Sequence, residues 1–180
     1  MSEIYYCYYL SPVGRLLMLG QKGKLTNLDF EQEQIPPHPA WIFDENQPLF
    51  LQVKQSLDRY FAGEKESFQS IPLLLQGTEF QCKVWQALRH IPYGQYSSYG
   101  ELAKQIYNPN AVRAVGGAVG RNPISIIIPC HRILGKDHTL TGFGGGLPTK
   151  RYLLQLEQIS YVDKGVEFVK PKLLKKYREK

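Results

Sequence analysis

Residues 111 to 132 read AVRAVGGAVGRNPISIIIPCHR. The stretch begins with small residues, passes through three isoleucines and ends in the triplet CHR. Three successive β-branched residues are typical of a buried strand, so we predict a strand over residues 126 to 128 that delivers a thiol and an imidazole at its end. Neighbouring side chains on a strand point to opposite faces, so contact between Cys130 and His131 would need a bend after Pro129 or a bridging water.

A buried cysteine is most often a small apolar core residue, and a reactive one needs a group that generates the thiolate. The adjacent His131 can do so, provided that a partner orients its second ring nitrogen. Two carboxylates follow in the sequence. Glu157 lies on the predicted helix PTKRYLLQLEQI, which has Pro148 in its first turn, and Asp137 lies in the predicted loop LGKDHTLTGFGGG. Spacing alone does not choose between them.

The stretch NAVRAVGGAVGRN predicts a helix that is unusually rich in glycine. Each glycine costs about 1 kcal/mol of helix stability relative to alanine, so the glycines need a reason. Tight packing of the helix within its own domain is the common reason, and it is the one favoured for Gly116 and Gly117. The alternative is a bare face that enters a DNA groove, with Arg113 as the one long charged residue in its middle.

Two further helices are predicted before this one. The first, TEFQCKVWQALRHI, has Thr78 as its N-cap and an apolar stripe, and the second, SSYGELAKQI, is capped by Ser97 or Ser98. The turn YNPN then leads into the glycine-rich helix. Helix, short turn and helix in a basic region is the pattern of a helix-turn-helix, although many helical hairpins bind no nucleic acid.

The first part of the chain has a different character. The stretches IYYCYYL, RLLML and KLTNLDF predict short strands joined by turns, and PLFLQVKQSLDRYFAGEK predicts a helix that stops at Gly63. A polar, proline-rich loop is predicted between them. We therefore predict three parts: an N-terminal α/β domain over residues 1–77, a helix-turn-helix domain over residues 78–160 and a basic tail over residues 161–180.

The net charge of +6 is unevenly distributed. Residues 1 to 75 carry 6 lysines and arginines against 9 acidic residues, residues 76 to 157 carry 9 against 4, and residues 158 to 180 carry 7 against 3. This split suggests a second domain that faces a polyanion. Charge alone favours the simpler interpretation of a solvated basic surface. The same holds for the tail, for which a phosphate-contacting extension is the alternative.

Several classes of protein are disfavoured by composition. No apolar run is long enough to cross a bilayer, and the start MSEIYYCYYL has neither the basic region nor the cleavage site of a signal peptide. Three cysteines without CxxC spacing argue against a disulfide scaffold and favour a reducing, cytoplasmic location. The histidines and the remaining cysteines lack paired spacing, so neither a metal nor another cofactor is expected.

The sequence resembles the O6-alkylguanine-DNA alkyltransferases, the methylated-DNA–protein-cysteine methyltransferases. The resemblance rests on AVRAVGGAVGRNP, PCHR, GFGGGLPTKRYLLQLE and the lead-in FQCKVWQALRHIPYGQYSSYGELA, and it is specific from about residue 78 to 157. It implies an α/β fold (α+β): a small N-terminal α/β domain with a mainly antiparallel sheet, then a mainly helical, winged-helix-like domain that binds DNA and carries the reaction. It also implies a monomer that uses double-stranded DNA containing O6-alkylguanine, with no membrane and no cofactor.

The resemblance further implies a suicide reaction: a flipped-out O6-alkylguanine gives up its alkyl group irreversibly to Cys130, once per molecule. It makes His131 the base that acts through a water, Glu157 its orienting carboxylate, Asn122 the brace of the active-site turn and Tyr99 the residue that rotates the phosphate and assists the leaving guanine. The physics agrees, since displacement at carbon needs a soft thiolate nucleophile and a proton for the leaving oxygen. A target inside the base stack must first be extruded.

Arg113 matches the arginine that fills the gap in the base stack. The full set of expected DNA contacts is Arg113, Ala111, Ala114, Gly116, Gly117, Ser98, Arg121 and Arg132. The expected pocket residues depart from the usual pattern: Phe143, Gly144 and Ser125 stand where many members have tyrosine, serine and proline. These changes put substrate preference and rate in question.

Two other functions fit parts of the sequence. A lesion-binding protein that has lost the chemistry would tolerate the changes at Phe143 and Gly144, but the retained Cys130, His131 and Glu157 argue against it. A cysteine hydrolase fits the trio of thiol, imidazole and carboxylate. It leaves the glycine-rich helix with Arg113 unexplained.

Overall fold

The computed structural model describes residues 2–31 and 36–164. Its elements in chain order are β1 (Ile4–Ser11), β2 (Gly14–Gln21), β3 (Lys24–Phe30), β4 (Ile42–Phe43), α1 (Pro48–Phe61), α2 (Glu79–Arg89), α3 (Tyr99–Gln105), α4 (Val112–Gly120), two short 3₁₀ helices (Cys130–Arg132 and Lys136–His138) and α5 (Leu147–Leu156). None of the helices in the described part of the chain has the length and hydropathy that a membrane span requires.

The chain forms two compact units, and the division is not contiguous in sequence. The first comprises the residues up to Gln76 together with Pro123–Ile127, and the second comprises Gly77–Asn122 and the residues from Ile128 onward. Pro123–Ile127 joins the first unit by backbone pairing, since Leu28 N–H donates to the carbonyl of Pro123 (3.0 Å) and Ser125 N–H donates to that of Leu28 (2.9 Å). Local sequence patterns do not predict that Pro123–Ile127 pairs with a strand so much earlier in the chain.

The first unit is built on a four-stranded sheet in the order β3-β2-β1-β4. The three predicted strands β1, β2 and β3 are present and pair antiparallel through tight turns. The two-residue β4, which pairs parallel to β1, was not predicted because it lies in the proline-rich stretch that reads as loop. The core of this unit is formed by buried side chains of the sheet and of α1. Those of the sheet include Cys7, Leu16, Met18, Leu25 and Leu28, and those of α1 include Phe50, Val53 and Leu57.

Three consecutive helices open the second unit, as the sequence predicts. Thr78 and Gln81 form a reciprocal capping box at the start of α2, and Ser98 accepts a hydrogen bond from the N–H of Glu101 at the start of α3. The indole N–H of Trp85 on α2 donates to the carbonyl of Ala118 on α4 (2.8 Å). This buried bond holds α4 against α2 on one side and leaves its opposite side open.

The predicted strand over residues 126 to 128 is wrong. The isoleucines are buried, as expected, but the backbone turns, and Ile126 has a φ of +71°, a left-handed conformation that a strand does not contain. Only Ile124 makes a bridge, with Leu28 of the first unit. Burial of a β-branched run produces a strand only where a partner edge is available, and here a turn leads directly into the 3₁₀ helix Cys130–Arg132.

The last helix, α5, closes the second unit over a small core. Leu134, Leu140, Leu154 and Ile159 form a buried cluster, with Leu147 and Tyr161 packed against it. Beyond α5, Val162 bridges to Thr139, so the first residues of the predicted tail 161–180 belong to the folded unit. The basic stretch after residue 164 lies outside the described residues.

The expected fold class is confirmed: a small domain with a mainly antiparallel sheet precedes a mainly helical one. The order of helices α2, α3 and α4 places the N-terminus of α4 and its glycines after a short turn. This arrangement provides the frame for the site that follows.

The capping box of α2 gives a test of the second unit's stability. Thr78→Ala removes the side-chain acceptor for the Gln81 N–H (3.1 Å), so we expect a loss of about 1 kcal/mol in the free energy of unfolding. Thr78→Ser keeps the acceptor and should stay within a few tenths of a kcal/mol of the wild type. Urea unfolding followed by circular dichroism measures both, and equal stability of the two variants would contradict the role of the cap.

Candidate functional site

Cys130 begins a tight turn that backbone hydrogen bonds close. Its N–H donates to the carbonyl of Ile128 (2.8 Å), and its own carbonyl accepts from the N–H of Ile133 (3.2 Å). Cys130 is half-buried and forms no disulfide. In a 3₁₀ helix with about 3 residues per turn, successive side chains point roughly a third of a turn apart, whereas in a strand they alternate between opposite faces.

His131 and Glu157 form a fully enclosed pair. Nε2 of His131 lies 2.5 Å from Oε2 of Glu157, and neither side chain is exposed to solvent. An ionised carboxylate only accepts hydrogen bonds, so Nε2 carries the proton and Nδ1 is the nitrogen that can take one up. The structure therefore brings Glu157, and not Asp137, to the histidine, since Asp137 is an exposed residue in the 3₁₀ helix Lys136–His138.

Arg132 was expected to contact DNA, but its side chain is buried in the second unit. The residue is only 6 % exposed, and its Nε donates to Oε1 of Glu157 (2.7 Å). Its Nη1 donates to the carbonyl of Ile91 (2.7 Å). The physical reason for this correction is the turn at Cys130, which directs the guanidinium into the same enclosed space as the imidazole.

The two ionisable partners have displaced pKa values. Burial lowers the pKa of His131 below its ordinary value, and this effect outweighs the opposing pull of Glu157. For Glu157, burial alone would raise the pKa, but the hydrogen bonds from His131 and Arg132 and the charge of Arg132 outweigh it and hold the carboxyl pKa well below its usual range. At neutral pH the site therefore holds a carboxylate, a guanidinium and a neutral imidazole.

Lys150 is a buried cation near the thiol that the sequence analysis did not single out. It is 1 % exposed, and its Nζ donates to the carbonyl of Ile133 (2.6 Å) and lies 3.3 Å from Oγ1 of Thr141. Burial lowers its pKa to about 8, against an opposing attraction from Cys130. One signal was available, because Lys150 and Glu157 are seven residues apart and therefore share one face of the helical pattern.

Asn122 and Tyr99 lie at the ends of α4 and α3. The side-chain amide of Asn122 donates to the carbonyl of Ile128 (2.7 Å), two residues before Cys130. Tyr99 is the first residue of α3, is half-buried, and its ring lies beside Gly116 of α4. The structure thus places both residues on elements that border the described site.

The expected DNA contacts on α4 share one accessible surface. Arg113 and Ala114 are exposed, Ala111, Gly116 and Gly117 are half-buried, and Arg121 is exposed directly after the helix. Ser98 caps α3. A Cβ added to Gly117 would meet nothing within 4 Å, and one added to Gly116 would meet only the ring of Tyr99 at 4.0 Å. Packing within the described residues therefore does not explain these glycines, contrary to the explanation favoured from sequence.

Two of the three expected pocket residues lie in the second unit and one lies in the first. Phe143 is buried and Gly144 is exposed, both in the loop that precedes α5 in the second unit. Ser125 belongs to the first unit, where its N–H pairs with Leu28. In the described part of the chain no group of three or more His, Cys, Asp or Glu residues has the geometry to hold a metal ion.

A thiol that is next in sequence to a histidine oriented by a carboxylate can be deprotonated and can then accept a carbon group on its sulfur. The neutral imidazole can take the thiol proton at Nδ1, and Glu157 stabilises the imidazolium that forms. The same trio serves acyl and alkyl transfer, so the geometry defines a nucleophile without defining its substrate.

Comparison with known proteins identifies the family. Residues 79–159 match the 6-O-methylguanine DNA methyltransferase, DNA binding domain, and residues 4–75 match the 6-O-methylguanine DNA methyltransferase, ribonuclease-like domain. A methylated-DNA–protein-cysteine methyltransferase of Haemophilus influenzae is 62 % identical over 179 residues, covering 99 % of this chain and 100 % of the relative. One of Methanosarcina acetivorans is 46 % identical over 156 residues, covering 86 % and 98 %. A crystal structure of Mycobacterium tuberculosis OGT in complex with DNA superposes with a TM-score of 0.78 at 47 % identity, covering 86 % of this chain and 92 % of that one.

Removal of the buried charge of Glu157 should be costly in a pH-dependent way. Glu157→Gln leaves Arg132 without its ionic partner, so we expect a loss of about 3–5 kcal/mol in the free energy of unfolding at pH 7. The pKa of Glu157 is lowered by folding, so its contribution is fully present above the unfolded value of about 4.3 and declines as pH falls below it. The difference between wild type and variant should therefore shrink below about pH 4.

Urea titrations between pH 3 and pH 7 measure this difference. The matched control is Glu79→Gln, because Glu79 is 89 % exposed and pairs with Lys83 at 3.7 Å. That change should alter stability by no more than about 0.5 kcal/mol. A Glu157→Gln effect as small as the control's, or one that stays constant down to pH 3, would contradict the role of the buried carboxylate.

Proposed function

The chain belongs to the 6-O-methylguanine DNA methyltransferase family and is a DNA-repair methyltransferase that acts on methylated DNA, and we propose that Cys130 is the residue that accepts the alkyl group. The observation that supports this assignment most directly is the enclosed pair of His131 and Glu157, at 2.5 Å, next to the half-buried thiol of Cys130. Of the three cysteines, Cys130 alone follows a proline and precedes a histidine that a carboxylate orients.

The proposed reaction is a single displacement at carbon. The thiol proton passes through a water to Nδ1 of His131, and the thiolate attacks the alkyl carbon while the bond from that carbon to guanine O6 breaks. The electron pair of that bond stays on guanine, which takes a proton from the hydroxyl of Tyr99, and Tyr99 regains a proton from solvent. Restored guanine leaves, a thioether remains on Cys130, and His131 returns its proton to solvent. Because the thioether has no route back to a thiol, each molecule acts once.

The other two cysteines are poor candidates for this role. Cys7 is fully buried in β1, and burial raises the pKa of its thiol to about 11, so it stays protonated at neutral pH. Cys82 lies on α2, where its sulfur is 3.9 Å from the carbonyl of Gly77. Neither has an imidazole beside it in the sequence.

We further propose that α3 and α4 act as a helix-turn-helix, with α4 against a DNA groove and the damaged base flipped out. The support is the unfilled space at Gly117 and the exposure of Arg113 and Ala114 on α4. Glycines that no contact within the described residues requires, in a helix that they destabilise, are consistent with a surface that an outside backbone approaches closely. Arg113 would fill the gap in the base stack after extrusion.

A reducing compartment such as the cytoplasm suits this chemistry. The nucleophile works only as a thiol or thiolate, and oxidation to a sulfenic acid or a disulfide would block it. We expect one chain per lesion, because the nucleophile, the base and the orienting carboxylate all lie in the second unit of a single chain.

Alkyl transfer to Cys130 can be tested with a DNA duplex that contains one O6-methylguanine. After mixing, peptide mass spectrometry of the wild type should show one methyl group, on the Cys130 peptide, at no more than one per molecule. Cys130→Ala should show none, and Cys82→Ala, as the matched control, should behave like the wild type. A methyl group on Cys82, or tight binding without any methylated cysteine, would contradict the proposal, and the second result would indicate a lesion-binding protein.

The open face of α4 predicts opposite effects on stability and binding. Gly117→Ala adds a Cβ into open space within a helix, so we expect up to about 1 kcal/mol of added stability. The same methyl group would obstruct the proposed approach of a DNA backbone, so duplex affinity should fall. Urea unfolding and fluorescence anisotropy with an unmethylated duplex measure the two effects. Unchanged affinity in a stabilised variant would contradict the placement of DNA at this position.

A further inference from the structure

The guanidinium of Arg132 is committed to the interior of the second unit. It donates to Oε1 of Glu157 (2.7 Å) and to the carbonyl of Ile91 (2.7 Å), and its position above the ring of Tyr93 places the guanidinium carbon 5.9 Å from the ring centroid. Two charge-assisted hydrogen bonds and an exposure of only 6 % fix the position of this guanidinium. Its charge therefore influences His131, which is bonded to the same carboxylate.

The carboxylate of Glu157 has both oxygens engaged. Oε1 accepts from Arg132 and from the backbone N–H of Gly94 (3.1 Å), and Oε2 accepts from His131 (2.5 Å). Gly94 has a φ of +80°, a conformation that glycine adopts without strain, and this conformation presents its N–H to the carboxylate. The imidazole is therefore one of three donors on a carboxylate whose charge Arg132 already balances.

The charge balance around His131 follows from this arrangement. The ionisable groups that face it from the elements packed around it are Glu157 and Lys150 from α5 and its end, and Arg132 and Cys130 from its own turn. With Arg132 and Lys150 charged, a second proton on His131 would add a third cation near one carboxylate in a space that excludes water. Without Arg132, the same carboxylate would form an ion pair with a protonated imidazole.

We infer that Arg132 is a positioning residue for the transfer reaction: it fixes and neutralises Glu157 so that His131 stays neutral, with Nδ1 available to receive the proton of Cys130. This inference rests on the proposed function only in taking His131 as the base. It gives the arginine of the CHR triplet a role in setting the working pH of the base, in place of a contact to DNA.

The directions of the pKa shifts agree with this geometry. Burial lowers the pKa of His131 most, Glu157 raises it, and Arg132 and Lys150 both lower it. Loss of Arg132 removes one of the lowering contributions and leaves Glu157 unbalanced, so the imidazole should hold its proton to a higher pH. A base that is protonated at neutral pH cannot accept the proton of the thiol.

The test compares Arg132→Met with Arg132→Lys, which keeps the charge. The histidine ring signals are followed by NMR between pH 5 and pH 9 in protein that carries labelled histidine, and the signals of His131 are assigned by their absence from a His131→Gln variant. The rate of methyl transfer from an O6-methylguanine duplex is measured over the same range. Arg15→Met, which removes an arginine of 48 % side-chain exposure from its pair with Glu31, is the control for loss of an arginine.

In Arg132→Met the titration of His131 should move up by about one pH unit, and the transfer rate should fall about tenfold at pH values below both titrations and recover toward pH 9. Arg132→Lys and Arg15→Met should titrate like the wild type. An unmoved His131 titration in Arg132→Met, or a rate loss that is equal at every pH, would overturn the inference and leave Arg132 with a purely structural role.

If Arg132→Met does not fold, the titration of His131 in the wild type can still overturn the inference. The inference requires that His131 of the wild type titrate below its ordinary value of about 6.5, and a His131 that holds its proton at pH 7 beside Arg132 would overturn it. Both NMR readouts are independent of alkyl transfer, so an inactive protein in which Arg132→Met still raises the His131 titration would count against the proposed function and in favour of the role of Arg132.

Discussion

The buried carboxylate of Glu157 is the interaction on which the rest of the second unit depends. It joins three separate pieces of chain: the turn that carries His131 and Arg132, the loop at Gly94 and the end of α5. A carboxylate removed from water needs compensation at each oxygen, and here a cation, an imidazole and a backbone N–H supply it. The turn that carries Cys130 is therefore held in place electrostatically, because moving it would separate the buried carboxylate of Glu157 from its partners.

Several other residues near the proposed site adopt conformations or positions that reduce the stability of the fold. Gly116 and Gly117 weaken α4 without any packing in the described residues that requires them. Ile126, which belongs to the first unit but lies four residues before Cys130, takes a left-handed conformation that a β-branched residue rarely adopts. Lys150, a cation in an almost fully buried position, adds a further cost that its bond to the carbonyl of Ile133 offsets in part. These costs lie on the proposed DNA surface or close to the proposed nucleophile in the sequence or the structure.

Local patterns in the sequence were sufficient for most elements. Alternation predicted β1, β2 and β3, helical spacing and capping residues predicted α1 to α5, and family resemblance supplied the two-domain class. The exceptions have physical reasons. Residues 126 to 128 have the composition of a strand but no partner edge, β4 is two residues long, and Pro123–Ile127 returns to the first unit by pairing with a segment almost a hundred residues earlier. Pairing across such distances leaves no periodicity in the sequence.

The sequence by itself determined the chemistry available to this protein: a cysteine and a histidine side by side, a choice of two carboxylates and a basic, glycine-rich helix. Residue spacing left the choice between the carboxylates open and the family resemblance implied Glu157, but only the tertiary structure shows the contact, because it requires α5 to end against the turn of His131. The same carboxylate holds the guanidinium of Arg132 in the interior, and local sequence does not predict this contact because the two residues are 25 positions apart. Residue types and their spacing specify which groups exist, whereas burial and long-range contact specify which of them are charged and which of them meet.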